Sequence, residues 1–379
     1  MQLPKKLKNK LKKKIRKIKR NNPKAKIIVT GCSAQINPSN YKKMREVDLI
    51  LGNEEKFKFE KYLNLLDKNE SKVVVNDIMS VKETAKHFIK GFDKKSRAFV
   101  QIQTGCDHRC TFCTIPFGRG NSRSVSIENV CKQIKILLTK GFKEIVLTGV
   151  DLTSYGKDLY EKPKLGDLIK EILKKVKNLE RLRLSSLDAI EIDKNLIDII
   201  KYEERLMPHL HLSIQSGDNM ILKRMKRRHS REDIINLCNN LKKYRNNIVF
   251  GADIIAGFPT ETKEMFYNSK NIIKESDLTY LHIFPYSNRP NTPASKMPQI
   301  SKEVVKERAK ILRNKANERM KIFLKNQINK THRVLFEKQS EGHSENFIPI
   351  ISKSKHRIGD IVSLKGKYIN NEKLIAQAI

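Results

Sequence analysis

Between residues 98 and 285 the chain alternates short apolar, β-branched runs with longer amphipathic ones, and this alternation restricts the fold more than any other feature. Strands are expected at 98–103, 144–148, 181–185, 209–215, 248–255 and 280–285, with helices at 127–139, 165–176, 194–200, 231–244 and 261–276. Parallel strands need long crossovers, so such a pattern implies an α/β fold whose parallel sheet closes partly or wholly into a barrel. Ligands then belong at the C-terminal ends of the strands.

The flanks read differently. Leu3, Leu7, Leu11, Ile15 and Ile18 form an apolar stripe among lysines, which predicts an amphipathic first helix. Asn21, Asn22 and Pro23 stop it, a strand at 26–30 delivers Gly31 and Cys32, and a second strand at 47–51 precedes a helix at 57–66. An opening helix with no strand before it resembles the middle of a βαβ unit, so upstream sequence is expected. Residues 76–95 read as a linker, and 301–329 as one long charged helix. Short runs at 333–336, 347–351, 361–365 and 374–378 predict a small β-barrel.

Seventy-eight Lys and Arg against 41 Asp and Glu give a net charge of +37, which fits an RNA or DNA partner better than a small neutral ligand. Lys-, Asn- and Ile-rich composition without Trp is also what an AT-rich genome produces. No run reaches the roughly 18 apolar residues of a membrane span, and the basic start lacks a signal-peptide core. A cytoplasmic location is expected. Cys131 and Cys238 fall on predicted helices as small core residues.

The densest chemical signal is Cys106-Asp107-His108-Arg109-Cys110-Thr111-Phe112-Cys113, directly after the first barrel strand. Three thiolates on one tight loop can hold three irons of a 4Fe-4S cube and leave the fourth open to an amine and a carboxylate. A structural zinc site needs four protein ligands, and only His108 is at hand, a residue better read as solvent- or backbone-bonded.

This run, with Phe112 at its aromatic position, resembles the signature of the radical S-adenosylmethionine (SAM) enzymes. The segments 97–103, 115–120, 123–124, 211–217, 253–262 and 284–294 are similar to the methylthiotransferases among them. The resemblance spans roughly residues 24–379. It implies a partial (β/α)6 barrel at 93–328, an incomplete N-terminal α/β domain at 1–92 and a TRAM-like RNA-binding β-barrel at 329–379. It further implies that Cys106, Cys110 and Cys113 ligate a 4Fe-4S cluster, that SAM chelates its open iron, and that electron transfer yields a 5′-deoxyadenosyl radical.

The wording around the loop is nearest the type that methylthiolates C2 of N6-threonylcarbamoyladenosine at position 37 of tRNA, using two SAM molecules per product. An isopentenyladenosine type, a ribosomal-protein type and a non-catalytic RNA-binding protein with a structural metal loop are the alternatives. The expected partners are a tRNA anticodon stem-loop and an electron donor such as flavodoxin or ferredoxin.

Thr148 and Gly149 end one strand, and Ser185, Gln215 and Asp253 lie on or near the ends of others, where they are expected to face SAM. Each position also has an ordinary reading as a turn or a solvent-facing side chain. Arg119, Arg123, Lys223, Arg224, Lys226, Arg227 and Arg228 are expected to offer cations to phosphate near the barrel mouth, although charge runs usually form solvated faces. Arg289 is expected to pair with a threonylcarbamoyl carboxylate, because a guanidinium fork matches it. His209 and His211 share one strand face and are expected to be buried and hydrogen-bonded. The 149–157 segment has the wrong glycine spacing for a phosphate loop.

The chain departs from the family in one respect. Such enzymes carry a second 4Fe-4S cluster on three N-terminal cysteines, and Cys32 matches only the third. Either an upstream segment is missing, the favoured expectation, or the second cluster is lost. Asn291 also stands where the family tends to have Gly.

Overall fold

The computed structural model describes residues 5–67, 72–81 and 96–379, and these form two compact units. One contains the described residues up to 81 together with Thr104–Arg123 and Ser287–Lys296; the other contains residues 96–103, Ser124–Tyr286 and Met297–Ile379. The proposed boundary at 92 and most of the expected linker lie outside the described residues.

In the first unit, strands Ile28–Val29, Leu49–Leu51 and Lys72–Val74 form a parallel sheet in that order. Ile15 of the helix Lys5–Asn21 packs into its core with Val29, Ala34, Tyr41, Met44, Val47 and Ile50, and Leu11 lies against it. Ile18, near the helix end, stands 45% exposed and leaves the expected stripe. Leu3 lies outside the described residues. The expected helix at 57–66 is a 3-10 segment, Glu55–Asp67, kinked at Lys58. Its aromatic and charged residues show no clean 3.6 period: Phe57, Phe59 and Leu63 are all exposed.

The second unit holds six strands from the alternating region. Arg97–Gln101, Glu144–Thr148 and Arg181–Leu184 pair in parallel, as do His209–Gln215, Val249–Ala256 and Leu278–Pro285. Parallel bridges Leu182 to Leu206 and Leu187 to Leu212 join the two sets. Helices Ile127–Thr139, Leu165–Lys175, Lys194–Tyr202, Arg231–Tyr244 and Lys263–Glu275 follow strands in turn. Their stripes bury one core against outward strand residues such as Leu210, Leu212 and Ile214. Side-chain caps start four of these helices: Ser126, Asp193, Ser230 and Thr262 each accept from a first-turn backbone N–H.

The long helix Lys302–Lys325 leads into a closed antiparallel and parallel barrel of five strands, Thr331–Phe336, Glu341–His343, Pro349–Ser352, Ile361–Asn370 and Lys373–Ala378. This barrel meets the parallel strands at their N-terminal ends. Arg181 donates to the Arg333 carbonyl at 2.8 Å, and the Tyr280 hydroxyl to the Asn346 carbonyl at 3.2 Å. Phe347 stacks on His209, with ring centroids 5.1 Å apart, beneath the guanidinium groups of Arg97 and Arg183. Among the described residues, no helix is long and apolar enough to cross a membrane.

Candidate radical SAM site

The segment Thr104–Arg123, which carries the cysteine loop, is shaped by glycine and by side chains that bind its backbone. Gly105 has φ +76°, and a Cβ there would stand 1.8 Å from the Asn121 carbonyl oxygen, so only glycine fits. The Cys106 N–H donates to the Gly120 carbonyl at 3.1 Å, and Arg109 clamps the Cys106 carbonyl and the Asn121 side chain, both at 3.0 Å. Asp107 accepts from the Ser122 N–H at 2.9 Å.

Cys106, Cys110 and Cys113 are all half-buried and outside any disulfide. The Cys113 N–H closes a turn onto the Cys110 carbonyl at 3.0 Å, and the Ile115 N–H points at the Cys113 sulfur at 3.4 Å. Three accessible thiols on a backbone-braced loop, one already receiving an amide N–H, are a donor set that suits an iron–sulfur cube, whose sulfur ligands are tuned by such bonds. His108 and Phe112 are half-buried on the same loop.

The loop continues into the helix Ile115–Arg119, and this helix meets Cys32. A Cβ on Gly118 would lie 3.1 Å from the Cys32 Cβ. Asn53 links the two, donating from Nδ2 to the Gly118 carbonyl and to the Cys32 sulfur, the latter at 3.6 Å. Lys56 in turn donates to Asn53 Oδ1 at 2.9 Å, and burial and then Arg119 push its ammonium pKa down. The structure therefore brings Cys32 against the helix that follows the cysteine loop. Sequence reasoning had no signal for Asn53 and Lys56.

A cleft of about 590 Å³ opens in the same unit, lined by residues that include Thr114, Phe117, Asn76, Pro290 and Asn291. Phe117 is half exposed. Arg289 is half-buried one residue from this lining, its carbonyl accepting from the Thr292 hydroxyl at 2.7 Å. Asn291 takes φ +68°, the left-handed region that favours glycine.

In the second unit Thr148 donates to the Val100 carbonyl at 3.3 Å. After it, Gly149 opens a turn held by Gln103, whose carboxamide oxygen accepts from the Val150 and Asp151 N–H groups, both at 2.9 Å. Gln103 is a positioning residue that spacing alone did not single out. The Ser185 hydroxyl is buried and finds no partner among the described residues, and Gln215 ends its strand at φ +69°.

Asp253 is placed three residues short of its strand end, and its Oδ1 faces His211 Nε2 at 3.0 Å and His282 Nδ1 at 3.2 Å. Burial raises its pKa, but the hydrogen bond and charge of His211, with the charge of His282, outweigh this and hold it below the usual range.

Several expected RNA cations have other work. Arg123 is 6% exposed, and its guanidinium donates to the Val81 and Arg119 carbonyls at 3.0 and 2.8 Å. Arg224 bonds Thr260; Arg227 pairs with Asp188 at 2.9 Å, and Arg228 with Glu191 at 2.8 Å. Lys223 and Lys226 are exposed. His209 is buried as expected, yet neither ring nitrogen finds a hydrogen bond among the described residues; aromatic stacking holds it instead. Burial first, and then Arg183, push its pKa well below the ordinary range. Cys131 and Cys238 are buried core residues, and burial pushes the Cys238 thiol up to about 12.

The Radical SAM superfamily model matches residues 100–272. The chain is 54% identical to the threonylcarbamoyladenosine tRNA methylthiotransferase MtaB of Rickettsia prowazekii, over 92% of this chain and 82% of that protein. It is 34% identical to the tRNA-2-methylthio-N(6)-dimethylallyladenosine synthase of Clostridium tetani, over 92% of this chain and 79% of that one. Among solved structures, the radical SAM methyltransferase TsrM of Kitasatospora setae aligns with a TM-score of 0.60 at 14% identity, over 76% of this chain and 60% of its own. The cobalamin-dependent radical enzyme OxsB aligns with a TM-score of 0.53 at 15% identity, over 84% of this chain and 46% of its own. At these identities the two structures speak for the radical SAM fold alone.

Proposed function

The chain belongs to the MtaB family of radical SAM methylthiotransferases, and from that premise we propose that it methylthiolates C2 of N6-threonylcarbamoyladenosine at position 37 of tRNA, beside the anticodon. The observation that carries this reading is 54% identity to an MtaB protein over 92% of the chain, with the cysteine loop inside residues 100–272, which the Radical SAM superfamily model matches.

Cys106, Cys110 and Cys113 would hold the 4Fe-4S cluster. With SAM bound, that group supplies reductive cleavage of the sulfonium to a 5′-deoxyadenosyl radical. The chain's own part is positional. Gly105, Arg109 and Asp107 fix the loop, and Gln103 fixes the Thr148–Asp151 turn at a strand's C-terminal end, where Thr148, Gly149, Ser185 and Gln215 would line the SAM pocket.

The six parallel strands support a partial (β/α)6 barrel at 93–328, and the five-stranded barrel at 329–379 supports a TRAM-like RNA-binding role. Arg119, Arg289 and the exposed Lys223 and Lys226 would meet the anticodon stem-loop, with Arg289 taking the threonylcarbamoyl carboxylate. A flavodoxin or ferredoxin would supply electrons in the cytoplasm. Cys32, against the helix that follows the cysteine loop, would be the remnant of the family's second cluster site.

The test is anaerobic reconstitution with iron and sulfide, followed by incubation with SAM, reductant and anticodon stem-loops. Mass spectrometry of the nucleosides should show a methylthio product on threonylcarbamoyladenosine and none on isopentenyladenosine. The reverse preference would overturn the substrate assignment, and tRNA binding by a colourless zinc protein without SAM cleavage would overturn the enzyme.

A further inference from the structure

We propose that His211, Asp253 and His282 form a second metal site, built from residues other than the three loop cysteines, which takes one divalent first-row transition ion of the zinc or ferrous class. The three residues come from three neighbouring parallel strands. Register sets their approach: Asp253 lies directly opposite His282, and Gly251, two residues before Asp253 and so on the same face, lies opposite His211.

The donor set and spacing suit an ion. Two imidazoles and a carboxylate are the ligands that zinc and ferrous iron accept while keeping a position open for another oxygen or nitrogen. Metal–ligand bonds of about 2.0–2.2 Å put neighbouring ligand atoms about 3–3.5 Å apart. Asp253 Oδ1 lies 3.0 Å from His211 Nε2 and 3.2 Å from His282 Nδ1, and the donor atoms of all three residues fall within 4.8 Å of one another.

The surroundings make room for this grouping. A Cβ at position 251 would stand 2.7 Å from His211 Nδ1, so the glycine leaves space for that ring. Exposure rises across the set, from 12% for the His211 side chain through 24% for Asp253 to 65% for His282, which leaves an approach from one side. The alternative is a hydrogen-bonded triad in which one carboxylate oxygen accepts from two protonated imidazole nitrogens and no ion enters.

Zinc titration of the cluster-reconstituted full chain, with a chromogenic chelator as competitor, separates the two. The site predicts one zinc per chain. Affinity should fall at least tenfold in His282→Ala and return in His282→Cys, because a thiolate is also a zinc ligand, while cluster iron and its visible absorption stay constant in both. A Cys106→Ser, Cys110→Ser, Cys113→Ser variant should keep the same zinc affinity. His282 is 65% exposed and its ring contacts are with His211 and Phe284, so constant cluster iron and absorption in its variants report an intact fold. Failure of the wild-type chain to retain zinc, or equal affinity in wild type and His282→Ala, would overturn the site and leave the methylthiotransferase assignment standing.

Discussion

Gly105 and Asn121 approach so closely that a Cβ on the glycine would lie 1.8 Å from the asparagine carbonyl oxygen. The contact closes the base of the cysteine loop, and the Cys106 N–H, one residue on, bonds the neighbouring Gly120 carbonyl at 3.1 Å.

Gly105→Ala should therefore open this loop. The left-handed φ of +76° alone costs a non-glycine residue about 1–2 kcal/mol, and the collision adds to it. Iron retained per chain after anaerobic reconstitution should fall well below wild type, with a lower melting temperature. Full iron occupancy in the variant would contradict the role given to this contact.

Glu144 predicts an acid-sensitive core. It is fully buried, with Arg183 on both carboxylate oxygens at 3.0 and 3.2 Å and Arg97 and Arg181 nearby. Burial raises its pKa, but Arg183, then Arg97 and Arg181, outweigh that and leave it below the usual glutamate range. A depressed folded pKa gives stability that is present above the unfolded value of about 4.3 and is lost as pH falls through the folded value. Glu144→Ala should cost about 3–5 kcal/mol at neutral pH by stranding buried arginines. Glu144→Gln should flatten the loss of stability below pH about 4.3 seen in denaturant titrations.

Phe347 joins the C-terminal barrel to the parallel strands through His209, Arg97 and Arg183, stacks on His343 of its own barrel, and yet has φ +69°. Phe347→Ala should lose about 3 kcal/mol from the missing ring. Phe347→Gly should be about 1 kcal/mol less damaging despite its smaller side chain, because glycine adopts that backbone freely. Chemical denaturation of both variants checks the order.

Much of the second unit was legible because local signals agreed. The helices Ile127–Thr139 and Arg231–Tyr244 and the strands Glu144–Thr148 and His209–Gln215 stand where periodicity put them, the helices opening on Ser126 and Ser230. Short or polar elements escaped: Lys72–Val74, Asn219–Arg224 and Glu341–His343 carry too few apolar residues to announce a period. The cysteine loop could be read directly because its three thiols are adjacent in sequence. The His211–Asp253–His282 grouping could not, since parallel register, not spacing, brings together residues 42 and 29 positions apart. Arg123 shows the opposite limit: composition marks a cation, while burial and two carbonyls decide its role.

Thiol reactivity should divide the six cysteines. In cluster-free folded protein, iodoacetamide at pH 8 should modify the half-buried Cys32, Cys106, Cys110 and Cys113. Buried Cys238, with its thiol at about 12, and buried Cys131, raised first by burial, should stay unmodified until denaturant is added. Peptide mass spectrometry reads the pattern, and early labelling of Cys238 would contradict its core position.

The central claim is that Cys106, Cys110 and Cys113 hold three irons of a cube whose fourth iron accepts SAM. Mössbauer spectroscopy of 57Fe-reconstituted protein, recorded with and without SAM, tests it most directly. One iron in four should shift to a higher-coordinate signature when SAM is added, and that signal should vanish in the triple Cys→Ser variant. Four equivalent irons indifferent to SAM, or a protein that takes up no cluster, would contradict the account.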